Sequence, residues 1–212
     1  VPAVLCVLLL AVGVHEPAAA GGARRGNPIR REALARLSPV YWWVVAVGAV
    51  FTLARFSEAF LVLRAQQLGV ALAFVPLVMV AMNVVYAASA YPFGKLADRM
   101  SHARLLAGGV ALLIGADVLL ALAQGWPLLL AGIALWGIHL GMTQGLLAAM
   151  VAEAAPPELR GTAYGVFNLC SGVAMLVASV LAGALWDGLG AAATFAAGAV
   201  FCVLSLLVLR LR

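Results

Sequence analysis

The sequence predicts an all-α membrane protein whose solvent is mostly lipid. Three observations carry that prediction. Hydrophobic residues make up 66% of the chain and charged residues 10%, a balance that water-soluble domains do not show. The apolar residues gather in six runs long enough to cross a bilayer, and the basic residues gather in alternate loops between them. Crossing a hydrocarbon core about 30 Å thick takes about 20 mostly apolar residues. The six runs extend from Val40 to Leu63, Val70 to Phe93, Arg104 to Gln124, Pro127 to Met150, Ala163 to Trp186 and Ala191 to Leu209.

The opening run, Val1 to Val14, is too short to cross. With Pro17 to Ala20 behind it, it resembles the apolar core and cleavage site of a signal peptide, but no basic region precedes it. Its other reading is the tail of a truncated helix. Charge decides between them, because Lys and Arg in short loops stay on the cytoplasmic side. Arg24, Arg25, Arg30, Arg31 and Arg36 precede the first span; Lys95, Arg99 and Arg104 follow the second; Arg160 follows the fourth; Arg210 and Arg212 end the chain. Setting aside Arg64 in an opposite loop and Arg55 inside a span leaves eleven of the thirteen basic residues on one side. A cleaved signal would invert every loop. The expectation is therefore a truncated helix over 1–14, a cytoplasmic linker over 15–39, and a six-helix domain over 40–212 with its C-terminus in the cytoplasm.

Local signals mark the ends of the elements. The linker is rich in Gly, Ala, Pro and Arg, with a short amphipathic helix expected around Arg31 to Leu37. Ser38 followed by Pro39 reads as an N-cap and a first-turn proline. Tyr41, Trp42 and Trp43 then fall where an aromatic belt would sit, as do Trp126 and Pro127 at the turn between the third and fourth spans. Pro76 is expected to kink the second span. Cys6, Cys170 and Cys202 lie in apolar runs without metal-ligand spacing and read as core residues. The basic balance fits an anionic leaflet, so membrane lipids are the expected surface partner and nucleic acid is not.

The loop after the second span reads Gly94-Lys95-Leu96-Ala97-Asp98-Arg99. It resembles the G-x-L-a-D-R loop signature of the major facilitator superfamily, which occurs after the second helix and again, degraded, after the eighth. Ser101, His102 and Ala103 depart from the fuller pattern, as the second copy does. Pro157-Glu158-Leu159-Arg160-Gly161 at the start of the fifth span is similar to the P-x-x-R-G stretch before that family's fifth and eleventh helices. The resemblance implies a six-helix bundle of the major facilitator type, helices seven to twelve, preceded by part of helix six. It also implies three-plus-three inverted repeats and a substrate site shared with an absent N-terminal half. Gly94, Asp98, Arg99, Arg160 and Gly161 are then the loop-signature and gating candidates. Gly94 would admit close backbone approach, and Arg99, Arg104 or Arg160 would pair with Asp98, Glu153 or Glu158 as a latch; the alternative is that these charges only fix orientation.

Charges inside spans cost about 2.5–3.5 kcal/mol each on insertion scales, so each asks for a reason. Arg55 and Glu58 are three apart and would share a helix face and pair; they read as a proton-coupling or substrate site, or as a static pair. Asp117 reads as packing against a neighbour or snorkelling outward. Gly137, Gly141 and Gly145 form a close-packing stripe, which would turn His139 and Thr143 toward the cavity, His139 as a proton relay or a satisfied hydrogen-bonding residue. Asn83 and Tyr86 in the second span, and Tyr164, Asn168 and Ser171 in the fifth, form polar stripes that contact substrate or bond across helices.

No phosphate-binding loop and no catalytic or metal constellation appears, and no cofactor is implied. The expectation is a secondary transporter of the bacterial inner membrane, moving a small solute by alternating access with protons as coupling partner and export favoured. Uptake by symport, and a non-transporting sensor or assembly protein on the same fold, are the alternatives.

Overall fold

The structure, a computed structural model, describes residues 31–210 and, before them, Gly13 alone. The helix tail expected over 1–14 and most of the linker expected over 15–39 lie outside the described residues. The described chain is helical without strands: α1 (Arg31–Ala35), α2 (Pro39–Ala54), α3 (Ala59–Gln67), α4 (Val75–Ala97), α5 (His102–Leu122), α6 (Trp126–Thr143), α7 (Leu146–Ala154), α8 (Arg160–Leu189) and α9 (Ala191–Arg210). These make six helical stretches long and apolar enough to cross a membrane, Pro39–Gln67, Leu72–Ala97, His102–Leu122, Trp126–Ala154, Pro157–Leu189 and Ala191–Leu209. They are called spans 1 to 6 below.

Spans 1 and 4 are each two helices. Span 1 is α2 and α3 with a break at Arg55–Glu58, and span 4 is α6 and α7 with a break at Gln144–Gly145. Spans 2 and 5 each open with a 3₁₀ turn, Leu72–Phe74 and Pro157–Leu159. The contacts follow the same pattern. Span 1 packs on spans 5 and 6, span 4 packs on spans 2 and 3, and spans 3 and 6 pack on each other. Exchanging 1 with 4, 2 with 5 and 3 with 6 returns these five pairings, as a three-plus-three repeat would, although the packing of span 5 on span 6 has no comparable counterpart between spans 2 and 3.

Small residues let the helices close. Lipid tails are as apolar as leucine, so helix association in a membrane rests on close packing. A Cβ on Gly137 would stand 2.7 Å from the Met82 carbonyl oxygen of α4, and one on Gly141 would strike Ser89 Oγ. Gly109 of α5 likewise receives the Thr143 methyl. The expected stripe ends there: Gly145 has nothing within 4 Å of its Cβ position, because the helix has already broken. Gly190, at φ +84°, turns the chain from α8 to α9 in a conformation that a side chain would strain.

Ser38 caps α2 as expected, accepting from the Tyr41 amide at 3.2 Å, with Pro39 in the first turn. Two expectations need correction. Pro76 lies in the first turn of α4, where a missing amide costs nothing, so it starts the helix and does not kink it; the interior proline is Pro92. Tyr41 is no belt residue. It is wholly buried, and its hydroxyl donates to the Ala163 carbonyl at 2.9 Å, while Ser38 Oγ donates to the Ala154 carbonyl at 3.2 Å. These two bonds tie the start of span 1 to the end of span 4 and the start of span 5. Of the expected belt residues, Trp42 and Trp126 are exposed.

Candidate functional site

The break in span 1 begins where Arg55 leaves helical geometry, at φ −107° and ψ 82°. Its amide still bonds the Phe51 and Thr52 carbonyls, both at 3.2 Å. Ser57 then accepts from the Ala59 amide at 3.3 Å and helps to start α3. Phe56 pins the turn from inside: it is 4% exposed and its ring lies 5.2–5.8 Å from those of Phe60, Trp136 and Phe195. With Phe56 held in the core, Arg55, Ser57 and Glu58 line a cavity of about 340 Å³ together with Met175 and Ser179 of α8.

The expected Arg55–Glu58 pair is not formed. The spacing rule holds along one continuous helix, and this helix stops between the two residues. Among the described residues the ion pair within 4 Å is His102–Glu153, at 3.3 Å. Each charge is met by a helix end instead. Arg55 is the C-cap of α2, at its negative pole, and Glu58 is the N-cap of α3, at its positive pole. The Arg55 guanidinium donates to the Gln144 side-chain oxygen at 3.1 Å and lies 5.9 Å from the Phe51 ring centre.

Gln144 belongs to the other break. It and Gly145 line a second cavity, about 450 Å³, with Tyr86, Phe93, Gly94, Asp98, His102 and Ala149 among its walls. The two breaks, 89 residues apart in sequence, are thus joined by one hydrogen bond, and each opens on its own cavity.

The remaining candidates fall into place around this centre or away from it. Tyr86 lines the larger cavity, while Asn83 is exposed and donates to Met79 O of its own helix at 2.8 Å. Asn168 is exposed and shares a helical stripe with Met175 and Ser179. Tyr164 donates to the Ala148 carbonyl at 2.9 Å, and Ser171 Oγ has no partner. His139 does not face a cavity. The face of α6 opposite the glycines meets α5, so His139 is wholly buried, with Nδ1 2.8 Å from the Gly109 carbonyl and its ring against Phe51. Thr143 bonds back to the His139 carbonyl at 2.8 Å. Asp117 does not snorkel: it is wholly buried beside Cys202 and the Gly198 backbone, and its Oδ1 has no partner.

Asp98 and Gly94 line the larger cavity, and Arg99, Arg160 and Gly161 are exposed at the same end of the bundle. Gly94 admits no close approach, having nothing within 4 Å of its Cβ position. None of the expected pairs of Arg99, Arg104 or Arg160 is formed within 4 Å among the described residues; Glu153 pairs with His102 instead. Gln144, Ser57 and Ser179, at the breaks or in the cavity walls, are positions that the sequence reading passed over. The first was signalled by an amide beside a glycine in an apolar run, and Ser57 by its place between two charges.

An all-helical bundle of six apolar spans, two of them broken in matching places, defines the class, a polytopic membrane protein. The chain belongs to the Major Facilitator Superfamily, whose model matches residues 42–212. It is 30% identical over 173 residues to an uncharacterized MFS-type transporter of Methanocaldococcus jannaschii, covering 78% of this chain and 43% of that protein. It is 38% identical over 73 residues to the 3-(3-hydroxy-phenyl)propionate transporter of Escherichia coli, 34% of this chain and 18% of that one. A 96-residue stretch is 29% identical to the facilitated glucose transporter member 2 of Gallus gallus, 44% and 18% of the two chains. The chain therefore spans less than half the length of these relatives.

Proposed function

We propose that this chain supplies helices seven to twelve of a proton-coupled secondary transporter, and that solute is handled where the two broken spans meet. The observation that carries this is the Arg55–Gln144 bond between the breaks, with a cavity on either side. Discontinuous helices in corresponding positions of two repeats are where transporters of this kind build their sites. Half-helix α3 lies toward one end of the bundle and half-helix α7 toward the other, so small hinge motions at Arg55–Glu58 and Gln144–Gly145 would open the ends in turn.

Glu58 is the proposed proton carrier. It lines the cavity beside Arg55 with no ion pair within 4 Å, so it can gain or lose a proton without breaking one. Phe56 and Met175 give the cavity apolar walls, which suits a lipophilic solute; export from a bacterial cell, with the basic loops inside, is the proposed direction. A six-helix N-terminal half would complete the cavity, and the 212 residues alone would not transport.

The test uses the complete transporter in proteoliposomes with an imposed pH gradient. Glu58→Gln should abolish solute-dependent proton flux while expression and thermal stability stay at the level of the unsubstituted protein. Unchanged flux would remove Glu58 from the mechanism.

A further inference from the structure

We infer that the solute is a small organic monoanion with an apolar body, its anionic group held by Arg55. This rests on the transport reading above and names the substrate class of the same site.

Arg55 carries the one charge in the cavity that does not titrate away, since a guanidinium keeps its proton under all ordinary conditions. Glu58 contributes a negative charge or, once protonated, none. The cavity walls named above therefore sum to zero or to plus one, and never to a net negative value. On this side of the cavity a cationic solute would meet walls that are neutral at best. An anion meets net positive walls whenever the carboxyl is protonated.

The hydrogen bonding points the same way. A guanidinium offers five N–H donors in a planar fork suited to carboxylates. Among the described residues, that of Arg55 makes one hydrogen bond, to the neutral amide of Gln144. The Ser57 and Ser179 hydroxyls line the same space as further donors, and Phe56 and Met175 provide the apolar wall. A charged side chain within a span is retained where it meets an ion or a substrate, and here no carboxylate of the protein neutralises it within 4 Å.

Three probes separate the possibilities because they share a ring and differ in charge: benzoate, benzylammonium and benzyl alcohol. Binding of each to the purified complete transporter is measured by calorimetry. Benzoate should bind in preference to the other two. Arg55→Gln should weaken benzoate at least about tenfold, the loss expected when a charge-assisted hydrogen bond is removed. Arg55→Lys, which keeps the charge and loses the fork, should fall between. Glu58→Gln, which removes the one negative charge from these walls, should tighten benzoate binding while losing proton flux. If Arg55→Gln does not fold, the Lys variant and the order of the three probes on the unsubstituted protein decide the matter. Preference for benzylammonium or benzyl alcohol, benzoate binding unmoved by both Arg55 variants, or no binding of any probe would each overturn the assignment. Benzoate binding without any proton flux in the unsubstituted transporter would instead strike the coupled-transport reading and leave the anion site standing.

Discussion

Two glycine-to-alanine substitutions in span 4, Gly137→Ala and Gly145→Ala, should differ in their cost. Gly137 is interior to α6, where Ala gains about 1 kcal/mol at most in helix propensity, while Gly145 is the N-cap of α7, where Ala gains nothing and loses a few tenths. They differ also in what the new methyl meets. At Gly137 it would lie 2.7 Å from the Met82 carbonyl oxygen and 3.0 Å from Val85 Cβ, and the first of these is backbone that no rotamer change can clear. Helix α4 would have to retreat by about half an ångström from a close-packed contact, and overpacking of this kind costs about 1–3 kcal/mol. At Gly145 the methyl enters open space. A contact cost of about 2 kcal/mol less a propensity gain of about 1 leaves Gly137→Ala about 1 kcal/mol less stable, or roughly 2–4 °C in melting temperature for a domain of this size, while Gly145→Ala should shift by only a few tenths of a kcal/mol. Thermal unfolding of the two purified variants in one detergent reads both. A Gly137→Ala melting temperature at or above that of the unsubstituted protein would refute the close approach of spans 2 and 4.

Arg64 donates to the carbonyls of Leu120 at 3.0 Å and Ala123 at 2.6 Å, at the C-terminal end of α5. Losing these bonds, the further ones to the Ala121 carbonyl and the Gln67 side chain, and a favourable helix-end charge at this half-buried site should cost Arg64→Ala about 2 kcal/mol, with Arg64→Lys recovering part; a melting temperature unmoved by the Ala variant would show that the end of α5 is held otherwise. A cysteine in place of Asp98, exposed in the wall of the larger cavity, should react readily with a methanethiosulfonate reagent in the state described here and more slowly when a solute or pH gradient closes that end. Equal reactivity in both states would argue against a gate at this loop.

The six spans were legible in the sequence because lipid imposes a length and a composition that no soluble helix needs, and Ser38–Pro39 marked the first of them as it marks any helix start. The site was legible only in part. Arg55 and Glu58 stood out by their cost in lipid, yet their relation was misread, since the apolar residues on either side of Arg55–Glu58 hide a break that only tertiary packing around Phe56 enforces. Gln144 was overlooked because a neutral amide carries no comparable cost. His139 was turned the wrong way for a related reason. A glycine stripe tells which face of α6 meets one neighbour, but an interior helix has neighbours on both faces, and α5 takes the other. Tyr41 shows the limit of composition at a span end, where a belt residue and a cross-helix tether look alike until the Ala163 carbonyl is seen beside it.

The break in span 1 explains how two charges survive inside lipid without cancelling each other. In one continuous helix, Arg55 and Glu58 would pair and be inert. With the helix divided, the negative end of α2 faces Arg55 and the positive end of α3 faces Glu58, each interaction offsetting about 0.3–1 kcal/mol of the roughly 2.5–3.5 kcal/mol cost of a charge at this depth. The remainder is met by the cavity, by Gln144 and by the Phe51 ring. Under the proposed anion site, that incomplete compensation gives the cycle its direction of pull. A solute carboxylate binds the guanidinium more strongly than a neutral amide does, and so takes Arg55 from Gln144. The bond that joins the two breaks is then replaced by one that joins span 1 to the solute. Half-helix α7 loses that tether at the moment the cavity fills, so occupancy at one break is transmitted to the gate at the other by exchange of a single hydrogen-bond partner.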